Sequence, residues 1–146
     1  AQDLLADLQP QVGGQPASGS DRFVVLGSRA VFVATSQYGT ELFATDGTPA
    51  GTELLLDAAV DDGSGYPQHL IALGSFALFS VTVPGLGREL WRTDGTQAGT
   101  QPVLDLNPGR ADSAIAWPVL HNGFVYFAAT NGSNGRGGNS SGTANR

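Results

Sequence analysis

The sequence predicts an all-β protein assembled from tandem four-stranded antiparallel units, about three repeats of 47–48 residues in a chain of 146. Three observations carry that expectation. The segment Glu41-Leu42-Phe43-Ala44-Thr45-Asp46-Gly47-Thr48-Pro49-Ala50-Gly51-Thr52 returns 48 residues later as Glu89-Leu90-Trp91-Arg92-Thr93-Asp94-Gly95-Thr96-Gln97-Ala98-Gly99-Thr100, with nine of twelve positions identical. Short runs rich in Val, Leu, Phe and Thr alternate with clusters of Gly, Pro and Asp, the pattern of strands broken by tight turns. No stretch of a dozen residues keeps an i, i+3, i+4 apolar stripe, so no amphipathic helix is expected.

The elements follow in order. A first strand is expected at residues 3–8. The first complete unit spans 22–57, with strands at 22–26 and 30–35 folded across Gly27-Ser28-Arg29, then 41–45, then 52–57. Asp46-Gly47 opens the turn between the last two, because Asp-Gly is a favoured hairpin pair. A polar loop over 58–68 leads to a second unit, 69–105, with strands at 69–73, 76–82, 88–93 and 100–105. Leu26-Gly27-Ser28 and Val31-Phe32-Val33 return as Leu73-Gly74-Ser75 and Leu78-Phe79-Ser80, and again as Leu120-His121-Asn122-Gly123 and Val125-Tyr126-Phe127. The third unit is therefore a partial one, 118–130, closing a single repeat domain over 1–130. A third turn motif is due near 140–144, where Ser140-Ser141-Gly142-Thr143 is a worn remnant. Residues 131–146 are nearly all Gly, Asn and Ser and read as a tail.

Four strands in 40–50 residues is the size of one β-propeller blade. Three blades are too few for a ring, since propellers use about four to eight. The chain is thus expected to be a partial propeller or part of an oligomeric ring, completing its edges by self-association or on a protein partner.

Glu89-Leu90-Trp91-Arg92-Thr93-Asp94-Gly95-Thr96 resembles the ELWxxDGT repeat of bacterial exported and surface proteins, and Glu41 to Thr48 resembles it with Phe43 in place of Trp. The likeness runs over nearly the whole chain and fades in the last unit. It implies propeller-type blades in exported proteins and attaches no catalytic activity to the repeat.

Composition narrows the functions. Gly at 21 and Pro at 8 favour turns, while charged residues make up only 14%. All basic residues are Arg, and a net charge of −6 leaves no basic stripe for nucleic acid or anionic lipid. No apolar run approaches the length of a membrane span. Without Cys there is neither a disulfide framework nor a thiolate site. The chain also lacks Met and opens Ala1-Gln2-Asp3, which suits a mature end after signal-peptide removal; a periplasmic or extracellular location is expected.

Candidate sites are few. Asp46-Gly47-Thr48 and Asp94-Gly95-Thr96 offer hard oxygens that calcium takes, yet an Asp and a Thr beside a turn more often bond the turn's own amides, so both are assigned a structural role. Phe43 and Trp91 share a repeat position and are expected to fill the space between blades. Tyr66 and Trp117 lie in loops beside prolines and are the candidates for a partner or glycan surface. Glu41 and Glu89 occupy equivalent places, with Arg88 and Arg92 flanking the second; an ion pair or turn cap is expected rather than an acid–nucleophile pair. Asp61 and Asp62 form the most acidic loop, a weak metal candidate without the spacing of an EF-hand. His69 and His121, read as strand-start positions, lack any metal-binding spacing. No catalytic residue and no cofactor is expected, with calcium the sole candidate ion. The expected function is a non-catalytic exported accessory protein docking on a larger extracellular, periplasmic or membrane-bound assembly through blade edges and loops. The alternative is a lectin-like module binding glycan or calcium.

Overall fold

The computed structural model describes residues 23–59, 63–104, 107, 113–130 and 140–145. Among them every regular element is a strand: β1 Phe23–Leu26, β2 Arg29–Ser36, β3 Gly39–Thr45, β4 Glu53–Leu56, β5 Gln68–Leu73, β6 Phe76–Val83, β7 Gly87–Thr93, β8 Gln101–Leu104, β9 Ala116–His121, β10 Phe124–Ala129 and β11 Ser140–Asn145. They form three antiparallel sheets, ordered β1-β2-β3-β4, β5-β6-β7-β8 and β11-β10-β9. The chain is all-β, and the eight strands of the first two sheets fall where the apolar runs place them. The strand expected at 3–8 lies outside the described residues.

Sheets 1 and 2 are built alike. Leu26 pairs with Arg29 across Gly27-Ser28, and Leu73 with Phe76 across Gly74-Ser75. Gly27 and Gly74 take φ of 62° and 67°, which a side chain would strain; Gly at the first turn position matches the turns that follow strand twist. One difference explains why the spacing is 47 residues early in the unit and 48 later. The β2–β3 connection in sheet 1 is Gln37-Tyr38, closed by Ser36 and Gly39, whereas the equivalent β6–β7 connection in sheet 2 is Pro84-Gly85-Leu86, closed by Val83 and Gly87. The extra residue is absorbed in the loop and the ladders beyond it keep their register.

The third sheet departs from the pattern. Its hairpin turns on Asn122-Gly123, both at positive φ, and pairs His121 with Phe124. His121, not Leu120, therefore takes the place of Leu73, and it ends β9 rather than starting a strand. Ser140–Asn145, where a remnant of the turn motif was expected, forms β11 and pairs along the whole of β10.

Register assigns the faces. On sheet 1, Val24, Leu26, Val31, Val33 and Leu42 point one way; we call this the back face. On sheet 2, Leu70, Ala77, Phe79, Val81 and Trp91 form the front face, and the two faces meet in one core cluster. The back of sheet 2, with Leu73, Leu78 and Leu90, meets the front of sheet 3, with Val125, Phe127 and Ala129, in a second cluster. Ile115, from the preceding connection, closes that cluster. The sheets are thus stacked in chain order, with β1 against β5 and β5 against β9 along one side. Near-continuous apolar runs such as Phe76–Val83 build this stack, because successive side chains point to opposite faces and both faces of the middle sheet are covered.

Candidate functional site

The repeated motif builds the same turn twice. Asp46 Oδ1 accepts hydrogen bonds from the Thr48 amide at 2.9 Å and the Thr48 hydroxyl at 2.7 Å. The Thr48 hydroxyl accepts from the Gly51 amide at 2.9 Å, and the Thr52 hydroxyl donates to the Thr48 carbonyl at 2.8 Å. Thr45 Oγ1 accepts from the Gly47 amide and lies 2.7 Å from Thr52 Oγ1. Asp94, Thr96, Gly99, Thr100, Thr93 and Gly95 repeat every one of these bonds. The Thr48 hydroxyl and then its amide hold the Asp46 carboxyl below its usual range. At Asp94 the Thr96 hydroxyl does most of the work, opposed by burial and helped by the Thr96 amide.

Gly51 and Gly99 belong to the motif for a steric reason. A Cβ at either would overlap the Asp46 or Asp94 carboxylate, which folds directly over the glycine. In sheet 2 the turn also reaches its neighbour: Gln97 Nε2 donates to the Leu54 carbonyl on β4 at 2.7 Å. Pro49 occupies that place in sheet 1 and has no such donor.

The glutamates do something the sequence did not disclose. Glu41 is fully buried, and its Oε1 accepts from the Gly65 amide at 2.6 Å while Oε2 accepts from Ala58 at 3.3 Å. Instead of pairing with a cation or capping its own turn, Glu41 holds the connection that leads to sheet 2. Glu89 is buried as well and accepts from the Ser113 hydroxyl, in the connection to sheet 3. Both partners stand 24 residues beyond the carboxylate. Backbone bonds repeat the arrangement: Thr82 N donates to Gly65 O and Thr130 N to Ser113 O. Tyr66 and Ala114, each one residue further, share a left-handed φ of 47° and 44°. Burial raises the Glu41 pKa above its ordinary 4.5, against the lowering effect of the Gly65 and Ala58 amides and with a smaller push from the Asp57 charge. The signal was present: a carboxylate at a fixed place inside an otherwise apolar strand. Its partner could not be read, because a loop fold 24 residues away brings the two together.

The remaining candidates scatter. Phe43 stacks on Phe32, and Phe32 on Phe23, at 6.0 and 5.3 Å on the front of sheet 1, whereas Trp91 packs into the cluster between sheets 1 and 2. Tyr66 displays an exposed ring from a pinned backbone: its amide donates to Thr40 O and its carbonyl accepts from Arg88. Trp117 lies on β9 and not in a loop. Arg92 is exposed on β7, and His121 is exposed at the end of β9. Asp61 and Asp62 lie outside the described residues. Among the described residues no three His, Asp or Glu side chains converge as a metal set.

Sequence reading passed over one polar group. His69 Nδ1 lies 3.2 Å from Ser80 Oγ, which also accepts from Arg88 at 3.4 Å. Ser80 is fully buried behind a cavity of about 10 Å³ between sheets 2 and 3, space for about one water molecule. The rest of its lining is apolar, with Ile71, Leu78 and Leu90 on one side and Val125 and Phe127 on the other among the residues that wall it.

No family model, curated protein or solved structure matches the chain. Among the described residues no helix is long and apolar enough to cross a membrane.

Proposed function

We propose that the three sheets are successive blades of a propeller and that the chain is a non-catalytic, exported accessory protein of the ELWxxDGT-repeat kind, docking on a larger extracellular, periplasmic or membrane-bound assembly. The observation that supports this most is how the repeated polar groups are spent. The motif's turn bonds are the same in both complete units, and its glutamates each reach the connection 24 residues on, Glu41 through the Gly65 amide and Glu89 through the Ser113 hydroxyl. Such groups build a scaffold; recognition falls to strand edges and loops. The outer strands β4 and β8 end their sheets, and an edge strand offers unpaired backbone groups to another protein.

The test is isolation of the native protein under mild conditions, with its mass read by light scattering and its companions by mass spectrometry. The expected result is a stable larger complex with a second protein. A chain isolated without any companion would overturn the docking reading.

The exposed Tyr66 side chain, carried on a hydrogen-bonded backbone, favours one second reading, an aromatic platform for a sugar face. It expects binding on a glycan array that Tyr66→Ala abolishes without changing the thermal midpoint. The accessory reading expects no glycan binding, and no rise in melting temperature on adding millimolar calcium.

A further inference from the structure

We infer that two copies of this chain join head to tail, the back face of sheet 3 in one seated on the front face of sheet 1 in the other, closing a ring of six sheets. The inference rests on reading the sheets as propeller blades, and it names the surface and the partner that complete them.

Within the chain the same joint is made twice, always the back of one sheet on the front of the next. The stack therefore ends in a back that no described sheet of the chain covers and in a front on which Phe32 and Phe43 are buried while the margin along β1 is open. The open part of the front of sheet 1 is its β1 margin, where Phe23 and Val25 are 65% and 71% exposed. On the back of sheet 3, Val119 and Tyr126 are paired across β9 and β10 and are 57% and 44% exposed, with Phe124 beside them.

These residues have buried counterparts in the middle of the stack. Phe23 and Val25 stand where Leu70 and Ala72 stand on sheet 2, and Leu70 is 5% exposed in the first joint. Val119 and Tyr126 stand where Ile71 and Leu78 stand, both packed in the second joint. The exposed ends thus carry the two halves of an interface the chain already makes. Along the inner row, β1 meets β5 and β5 meets β9; a second copy continues the row with its β1 against β9.

Copy number follows from geometry. A head-to-tail contact closes into a ring only when its rotation divides a full turn. Two copies give six sheets, within the about four to eight that propellers use, whereas three copies would give nine.

The experiment is light scattering on the purified 146-residue chain at tens of micromolar, followed by charge substitution. The unaltered chain is expected at twice its 15.0 kDa. Val25→Lys and Val119→Glu, both at exposed positions, are each expected to run as monomers with unchanged far-ultraviolet circular dichroism. An equimolar mixture is expected to return to the dimer. In that mixture the introduced lysine and glutamate meet at one junction while the other junction is unaltered. Monomeric unaltered chain would overturn the inference whatever the variants do. So would a mixture that stays monomeric, since a front-to-front or back-to-back dimer gains nothing from mixing, and so would an open polymer. The two readings fail separately: a monomer here leaves docking on another protein standing, and a native isolate with no companion leaves the six-sheet ring standing.

Discussion

At the residue scale, the turns and the buried glutamate respond to acid in opposite senses. Asp46 and Asp94 are held below their ordinary value of 3.8, so their bonds stabilise the fold fully above that value and are lost as pH falls through the lowered one. Glu41 is raised above 4.5, so its protonation favours the fold; that contribution is complete below 4.5 and disappears as pH rises through the raised value. Thermal midpoints measured against pH are expected to fall less steeply on the acid side in Asp46→Ala/Asp94→Ala, and less steeply above pH 4.5 in Glu41→Gln. Gly51→Ala drives a methyl group into the Asp46 carboxylate and is expected to cost about 1–3 kcal/mol in urea unfolding, the range for overpacking. Asp-Gly-Thr was legible as a structural turn because every one of its bonds is local. The glutamates were legible only as a repeated oddity, since tertiary folding supplies their partners.

At the scale of the element, the strands of the first two sheets were readable because each is a short run rich in apolar and β-branched residues bounded by Gly, Pro or Asp turns. The third sheet was readable as far as β10 and no further. β11 is Ser-Ser-Gly-Thr-Ala-Asn, which has no apolar alternation to announce a strand, and pairing along β10 gives it one. The described ends of the connections are tied to the sheets by buried bonds at Gly65 and Ser113. Ser113→Ala removes a donor from the buried Glu89 carboxylate, a change expected to cost about 1–3 kcal/mol because the acceptor cannot regain water. Hydrogen exchange is expected to localise the effect to the amides of Ser113 and Thr130, which bond Arg88 O and Ser113 O, with β1 to β4 unaffected.

Across the whole molecule, the middle sheet is the keystone of the stack, since both of its faces are covered. Phe79 is fully buried between sheets 1 and 2, and Phe79→Ala is expected to lose about 3–5 kcal/mol. Sheets 1 and 2 share that core, so their amides should lose protection together in native-state exchange; separate loss would mean the sheets unfold independently. That three units stack in chain order was implied by the repeat. Which face meets which was not, because the same apolar pattern serves both faces of a buried sheet, and only the register between strands tells front from back.

The β6–β7 connection has a use beyond the fold. Sheet 2 carries one residue more there than sheet 1, and the strands on either side are in the same register in both. Length at this corner is therefore free to vary, and Pro84, Gly85 and Leu86 are all exposed. A short epitope grafted between Gly85 and Leu86 is expected to lower the melting temperature by only a few degrees, since each doubling of loop length costs about 0.6 kcal/mol. Such a graft gives a handle for labelling or immobilising the chain that touches neither its end faces nor its outer strands.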